Sequence, residues 1–209
     1  MSYRLHCFAQ SGNAYKAALM LNLCKADWQP VLVDYFNGEH RSDDFLALNE
    51  TGEVPVLETG HTLLHQSGVI LDFLAEETGL YGGTTTEERR EILRWILFDN
   101  HKFTSYLATL RYLRFFAKDV AKPVDEFLEK RALRALQVAD QRLTKYPFIT
   151  GEQVTIADIS MSGYVYFLDE ARIDIADFPA LGQWRERMQQ LPGWGHPYDL
   201  MPKSGIWKK

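Results

Sequence analysis

The residues with the clearest chemical potential are Gln10-Ser11-Gly12-Asn13-Ala14-Tyr15-Lys16, which fall where a short apolar run gives way to a helical pattern. A hydroxyl at the amino end of a helix sits in the positive field of its unpaired amides. A thiolate is favoured over a thiol there, and its pKa falls. Ser11 is therefore the candidate to hold a sulfur in its reactive form. Ser11 and Asn13 are also good helix caps, and capping alone would equally account for them.

Three further stretches carry signals. In Glu53-Val54-Pro55-Val56-Leu57 the proline gives no donor to a sheet ladder. It belongs at a strand edge or first position, often with a cis bond in a tight turn, which leaves the backbone of Val54 open. An ordinary edge proline is the competing reading. In Gln66-Ser67-Gly68-Val69-Ile70 polar residues open a helix directly after a strand. Its free amides and dipole make a ready carboxylate site, although Ser67 as a simple cap fits as well and both can hold at once. In Val154-Thr155-Ile156-Ala157-Asp158-Ile159, Thr155 and Asp158 have capping-box spacing with Val154 and Ile159 as a staple, a structural device without chemistry.

Positioning these groups falls to the elements around them. Strand signals at 4–8, 30–35, 54–58 and 62–65 alternate with helical patterns at about 13–25, 42–48 and 66–77. The order is βαβαββα. Its βαβ unit must be parallel and its closing hairpin antiparallel, so a small mixed sheet covered by helices is expected. After a linker at 78–83 the strand signals stop, and Thr85 with Glu88 opens a second capping box. Amphipathic segments follow around 92–113, 124–144 and 155–171, and a tail from His196 onward with Pro197 and Pro202 is expected to wrap the surface.

Bulk properties remove several classes of function. A net charge of −5 without any concentrated basic face argues against nucleic acid as a partner. Cys7 and Cys24 are too few for a disulfide framework, which suggests a reducing compartment. The opening residues show no signal-peptide block, and no apolar run reaches membrane-spanning length, so a cytoplasmic location without membrane association is expected. The six histidines form no ligand pattern with the cysteines, and no metal is expected.

Taken in chain order, the four stretches resemble the cytosolic glutathione transferase family over nearly the whole chain. The resemblance implies an α/β plus all-α fold. A thioredoxin-like domain over residues 1–79 would bind glutathione as co-substrate, and an all-helical domain over residues 86–209 would contribute the pocket for a second substrate. It makes Ser11 the group that holds the glutathione sulfur and Asn13 a second donor, since Ser11-x-Asn13-x-x-Lys16 is similar to the pattern of a bacterial class with disulfide-reductase activity. Tyr15 lies inside the helix, later than the catalytic tyrosine of other classes. Val54, before a cis Pro55, would pair with the cysteinyl backbone, and Gln66 with Ser67 would bind the γ-glutamyl end. Glu53 stands where the family often has Lys, Arg or Gln, so a basic contact to the glycyl carboxylate is missing there, and His40 and Arg41 could replace it.

The resemblance further implies a homodimer, with Asp99 as a candidate to reach the γ-glutamyl group bound by the partner subunit. Phe8, Tyr106, Leu110 and Tyr166 are candidates to line the second-substrate pocket, although aromatic residues at helical spacing more often belong to a core. The activity implied is transfer of glutathione to a small electrophile. The alternatives are glutathione-dependent reduction of a disulfide or peroxide, and a non-catalytic binding protein that keeps the fold, for which Glu53 is the main support.

Overall fold

The computed structural model describes residues 2–117 and 119–205. The chain groups into two compact units, Met1–Leu80 with Leu191–Lys209, and Tyr81–Gln190. The first holds β1 (Tyr3–Cys7), α1 (Gly12–Leu23), β2 (Trp28–Leu32), α2 (Asp43–Leu48), β3 (Val56–Glu58), β4 (Leu63–His65) and α3 (Ser67–Thr78). The strands form one mixed sheet in the order β2-β1-β3-β4, with β1 and β2 parallel and the other pairings antiparallel. This is the expected βαβαββα arrangement.

Local chemistry explains the shifted boundaries. β2 begins earlier than expected and ends at Leu32. Val33, 1% exposed, still donates its amide to the Cys7 carbonyl at 3.0 Å while its side chain packs with Phe45 and Val56, and two 3₁₀ turns at Tyr35–Asn37 and Glu39–Arg41 follow. Pro30 sits opposite Leu5 on this edge strand, where its missing N–H is tolerated. The β3 ladder starts only at Val56, directly after the cis Val54–Pro55 peptide. Helix α1 carries Ala17-Ala18-Leu19-Met20-Leu21, apolar all round, and is buried on nearly every side.

The second unit is helical. It contains α4 (Thr86–Phe98), α5 (Thr104–Arg111), α6 (Lys122–Leu143), α7 (Ile156–Met161) and α8 (Pro179–Gln189). The capping box at Thr85 is formed, with the Glu88 carboxylate accepting from the Thr85 amide. The segment expected as one helix around 92–113 runs from α4 into α5 through a π-helical turn, Asp99–Phe103, and a second such turn covers Tyr112–Ala117. After α7 the chain tightens into a 3₁₀ stretch, Ser162–Phe167, rather than continuing as α-helix. Cys7 is a buried free thiol and Cys24 a half-buried one, and among the described residues no helix is long and apolar enough to cross a membrane.

The carboxyl-terminal segment departs from the expected division of the chain, in which it was part of the helical domain. It joins the first unit instead, and its residues 206–209 lie outside the described residues. Gly193 approaches the end of α1 so closely, at φ +96°, that a Cβ there would lie 2.7 Å from the Asn22 carbonyl oxygen. A short helix, Pro197–Leu200, follows. Pro202 then accepts from the Ala9 amide at 2.8 Å, and Ser204 exchanges two bonds with the Gln10 side chain, at 2.9 and 3.2 Å.

Asp158 anchors the second unit. Fully buried, it accepts from the amides of Ile149 at 2.7 Å and Thr155 at 2.9 Å and from the Trp184 indole at 3.0 Å. Burial pushes its pKa up to about 6 against the pull of these donors. Asp158→Ala would strand three buried donors, each costing about 1–3 kcal/mol, so we expect a loss of about 3 kcal/mol or more. Asp158→Asn, keeping one acceptor oxygen, should lose less. Denaturant unfolding checks both, and an alanine variant within about 1 kcal/mol of wild type would contradict this role.

Candidate active site

The turn between β1 and α1 brings the first candidates together. Ser11 is the N-cap of α1, buried, with its Oγ accepting from the Ala14 amide at 3.1 Å. That bond uses the oxygen and leaves the hydroxyl proton free to donate, so capping and holding an anion are compatible in one side chain. Asn13, on the first turn, has a buried side-chain oxygen with no hydrogen-bond partner among the described residues. Such an orphan is uncommon, since buried polar groups are nearly always paired. Its amide offers an acceptor to a thiol or, rotated half a turn, a donor to a thiolate.

A second cluster surrounds the cis proline. Val54 packs on the Val33, Phe45 and Val56 cluster, and its backbone enters no hydrogen bond among the described residues. The loop before it is shaped by Asn49, the residue directly after the helical pattern at 42–48. Asn49 is 1% exposed, donates to the Glu53 carbonyl at 2.8 Å and accepts from the Thr51 amide and hydroxyl. A short polar residue after a helix, five positions before Val54, was the available signal. Gly52, at φ +64°, lets this loop touch the one before it, because a Cβ there would lie 3.0 Å from the His40 carbonyl oxygen.

That preceding loop carries His40 and Arg41. His40 is buried and stacked on Tyr35 with ring centroids 3.9 Å apart, and its Nδ1 has no partner among the described residues. Tyr35 in turn stacks on Phe8 at 4.8 Å, so Phe8 is a buried member of an aromatic column. Burial and then the charge of neighbouring Arg41 lower the His40 pKa, and the ring is neutral at physiological pH. Arg41 is exposed and is the fixed positive charge of this loop.

The start of α3 is the third cluster. Gln66 occupies the N-cap position at φ +66° without capping the helix, because its side chain donates to the Glu53 carboxylate at 3.2 Å. Ser67 is 5% exposed, and its hydroxyl makes no hydrogen bond among the described residues. The expected simple cap is therefore absent, and the first amides of α3 have no side-chain partner.

The remaining candidates lie in the second unit, in different circumstances. Asp99 is fully buried and accepts from the hydroxyls of Thr104 at 2.7 Å and Ser160 at 2.6 Å. The expectation of a carboxylate presented to a partner subunit gives way to one that ties the π-helical turn to α7. Leu110 and Tyr166 are buried in the helical core, while Tyr106 is half-buried and accepts from Arg131 at 3.2 Å. Among the described residues no group of His, Cys, Asp and Glu is gathered that could hold a metal ion.

Comparison with known proteins gives a consistent picture. Residues 10–77 match the family model described as glutathione S-transferase, N-terminal domain, and residues 103–192 match the one for the C-terminal domain. The chain is similar to disulfide-bond oxidoreductase YfcG of Escherichia coli (strain K12), 29% identical over 90% of this chain and 91% of that protein. It is 30% identical to glutathione S-transferase F14 of Arabidopsis thaliana, over 97% and 88% of the two chains. The crystal structure of a glutathione S-transferase from Pseudomonas fluorescens [Pf-5] superposes with a TM-score of 0.89 at 32% identity, covering 94% of this chain and 99% of that one.

The His40 environment has a measurable consequence. With its folded pKa below the ordinary 6.5, the folded chain binds fewer protons than the unfolded one just below that pH. Stability should thus rise with pH through the window that ends near 6.5 and be flat above it. His40→Gln should flatten the rise, and Arg41→Ala should move the His40 titration upward. Urea midpoints between about pH 5 and 8, with an NMR titration of the ring, check both.

Proposed function

Since the chain belongs to the glutathione S-transferase family, we propose that it binds glutathione on its first unit and activates the thiolate for attack on small electrophiles. The observation that carries this reading is the unmet hydrogen-bonding capacity on the first turn of α1, where Ser11 keeps a free proton and Asn13 a buried orphan oxygen. A free thiol with a pKa of about 8.5 is only a few per cent ionised at neutral pH. A helix amino end with a hydroxyl donor lowers that value by about one unit or more, which raises the reactive fraction roughly tenfold. In the reaction the thiol proton passes to solvent, the sulfur bonds to the electrophilic carbon, and the leaving group departs with its electron pair.

The other contacts follow from the same geometry. Val54 offers its free amide and carbonyl to the cysteinyl backbone, and Ser67 with the first amides of α3 takes the γ-glutamyl carboxylate. Arg41 and the neutral His40 receive the glycyl end. The helical unit supplies contacts for the second substrate, for which half-buried Tyr106 is better placed than the fully buried Leu110. A cytoplasmic homodimer accords with the family resemblance and the two free thiols.

A second reading, reduction of small disulfides, is favoured by the relative named disulfide-bond oxidoreductase and by the Ser11-x-Asn13-x-x-Lys16 pattern. There the thiolate attacks one sulfur of the disulfide, expels the other as a thiolate, and a second glutathione completes the exchange. Ser11→Ala should lower kcat/KM about 10- to 100-fold, the worth of one charge-assisted hydrogen bond, and raise the pKa of bound glutathione seen by thiolate absorbance. Assays with a chlorinated nitrobenzene and with a small symmetric disulfide separate the two readings. Unchanged rates on both would remove Ser11 from the mechanism.

A further inference from the structure

We propose that Ser204 is a positioning residue, which aims the Ser11 hydroxyl at the glutathione sulfur by holding the turn in front of it; this rests on the glutathione reading above. A hydroxyl that caps a helix and also meets a sulfur has to point in one direction, and a displacement of about 1 Å at such a group can cost about 100-fold in rate. Ser11 takes its direction from the backbone on either side. On the helix side the Ala14 amide holds its Oγ at 3.1 Å. On the other side stands Gln10, which the helix does not fix, since α1 begins at Gly12.

Ser204 supplies the missing hold. The Gln10 side chain donates to the Ser204 carbonyl at 2.9 Å and accepts from its amide at 3.2 Å, the two-bond exchange of paired strands performed here by a side chain. The Ser204 hydroxyl donates to the Asp34 carboxylate at 2.8 Å and accepts from the Phe36 amide at 3.1 Å. Ser204 is 2% exposed, so each of its donors and acceptors is buried and satisfied, the condition under which a polar network makes its surroundings rigid. It thereby joins the turn before α1 to the loop that leads to His40 and Arg41. Two neighbouring bonds seat the segment, from the Ala9 amide to Pro202 at 2.8 Å and from the Gly205 amide to Asp34 at 3.2 Å. Asp34 serves as the anchor because hydrogen bonds from Asn37 and then Ser204 hold its carboxyl below the usual carboxylate range, so it is ionised at neutral pH. The hold falls on Gln10, one residue before Ser11, and Ser204 acts on the sulfur only through Ser11.

The test is a double-mutant cycle. Ser204→Ala removes the hydroxyl and with it the anchor to Asp34, while the backbone bonds to Gln10 remain. The thiol pKa of bound glutathione, read from thiolate absorbance, should rise by about half a unit to one unit, and the rate with a chlorinated nitrobenzene at a pH below that pKa should fall about 3- to 10-fold, the worth of one ordinary hydrogen bond. Ser204→Thr, which keeps the hydroxyl, should restore both. In a Ser11→Ala background Ser204→Ala should change neither, because the group it positions is gone. A loss of equal size in both backgrounds, or a thiol pKa that stays at the wild-type value however far the urea midpoint falls, reduces Ser204 to a structural role and overturns this inference alone. If Ser204→Ala does not fold, Gln10→Glu carries the same comparison, since it keeps an acceptor for the Ser204 amide and gives up the donor to its carbonyl. A wild-type protein that binds no glutathione, or leaves its thiol pKa unlowered, overturns the glutathione reading and this inference together.

Discussion

The amides of a buried helix start call for acceptors, and two helix starts of the first unit differ in whether a side chain supplies one. At α1 the Ser11 hydroxyl accepts from the Ala14 amide and keeps its proton for another partner. At α3 no side chain among the described residues answers, because Gln66 is drawn to Glu53 and the Ser67 hydroxyl makes no hydrogen bond there. Both starts belong to a sheet whose inner strand β1 lies between β2 and β3, so the polar ends are anchored by a core of Leu5, Leu57, Ile70 and Leu71. The hydrophobic interior fixes two sets of N–H groups in space, and these are the groups that the proposed function would use.

Charge is managed as carefully as hydrogen bonds. Stacking between Phe8, Tyr35 and His40 buries the imidazole, burial keeps it neutral, and Arg41 is the positive charge beside it. Asn49 and Gly52 bring the neighbouring loop against it, one by satisfying the Glu53 carbonyl and the other by omitting a side chain. In the second unit Asp99 and Asp158 are both buried acids with their oxygens occupied, and both serve the helical framework.

Features set by neighbours in sequence were legible in advance. The period-2 and period-3.6 patterns located the sheet and its helices, Pro55 marked the start of a ladder, and the Thr85 and Thr155 boxes announced two helices. Features set by distant partners were not. The apolar stripe of 92–113 continues across Asp99–Phe103, so periodicity alone does not reveal that the helix widens there, where the Asp99 carboxylate accepts from Thr104 and Ser160. The burial of Asp99 depends on that same contact. Nor does any pattern in residues 191–205 show that they belong with the first unit, since what holds them are bonds to Ala9, Gln10, Asn22 and Asp34. The role of Asn49 was hidden because a helix stop and a loop brace call for the same residue type.

Gln10, directly before Ser11, is tied to Ser204 across 194 positions of chain. A ribosome therefore releases the strand and helix of this turn long before it makes the residues that brace them. During synthesis the bonds of Ser204 to the Gln10 side chain and to the Asp34 carboxylate cannot yet form, and the turn lacks this brace while the helical segments are still being added. A chain that has not yet reached Ser204 thus carries Ser11 without the bonds that hold the residue before it in place.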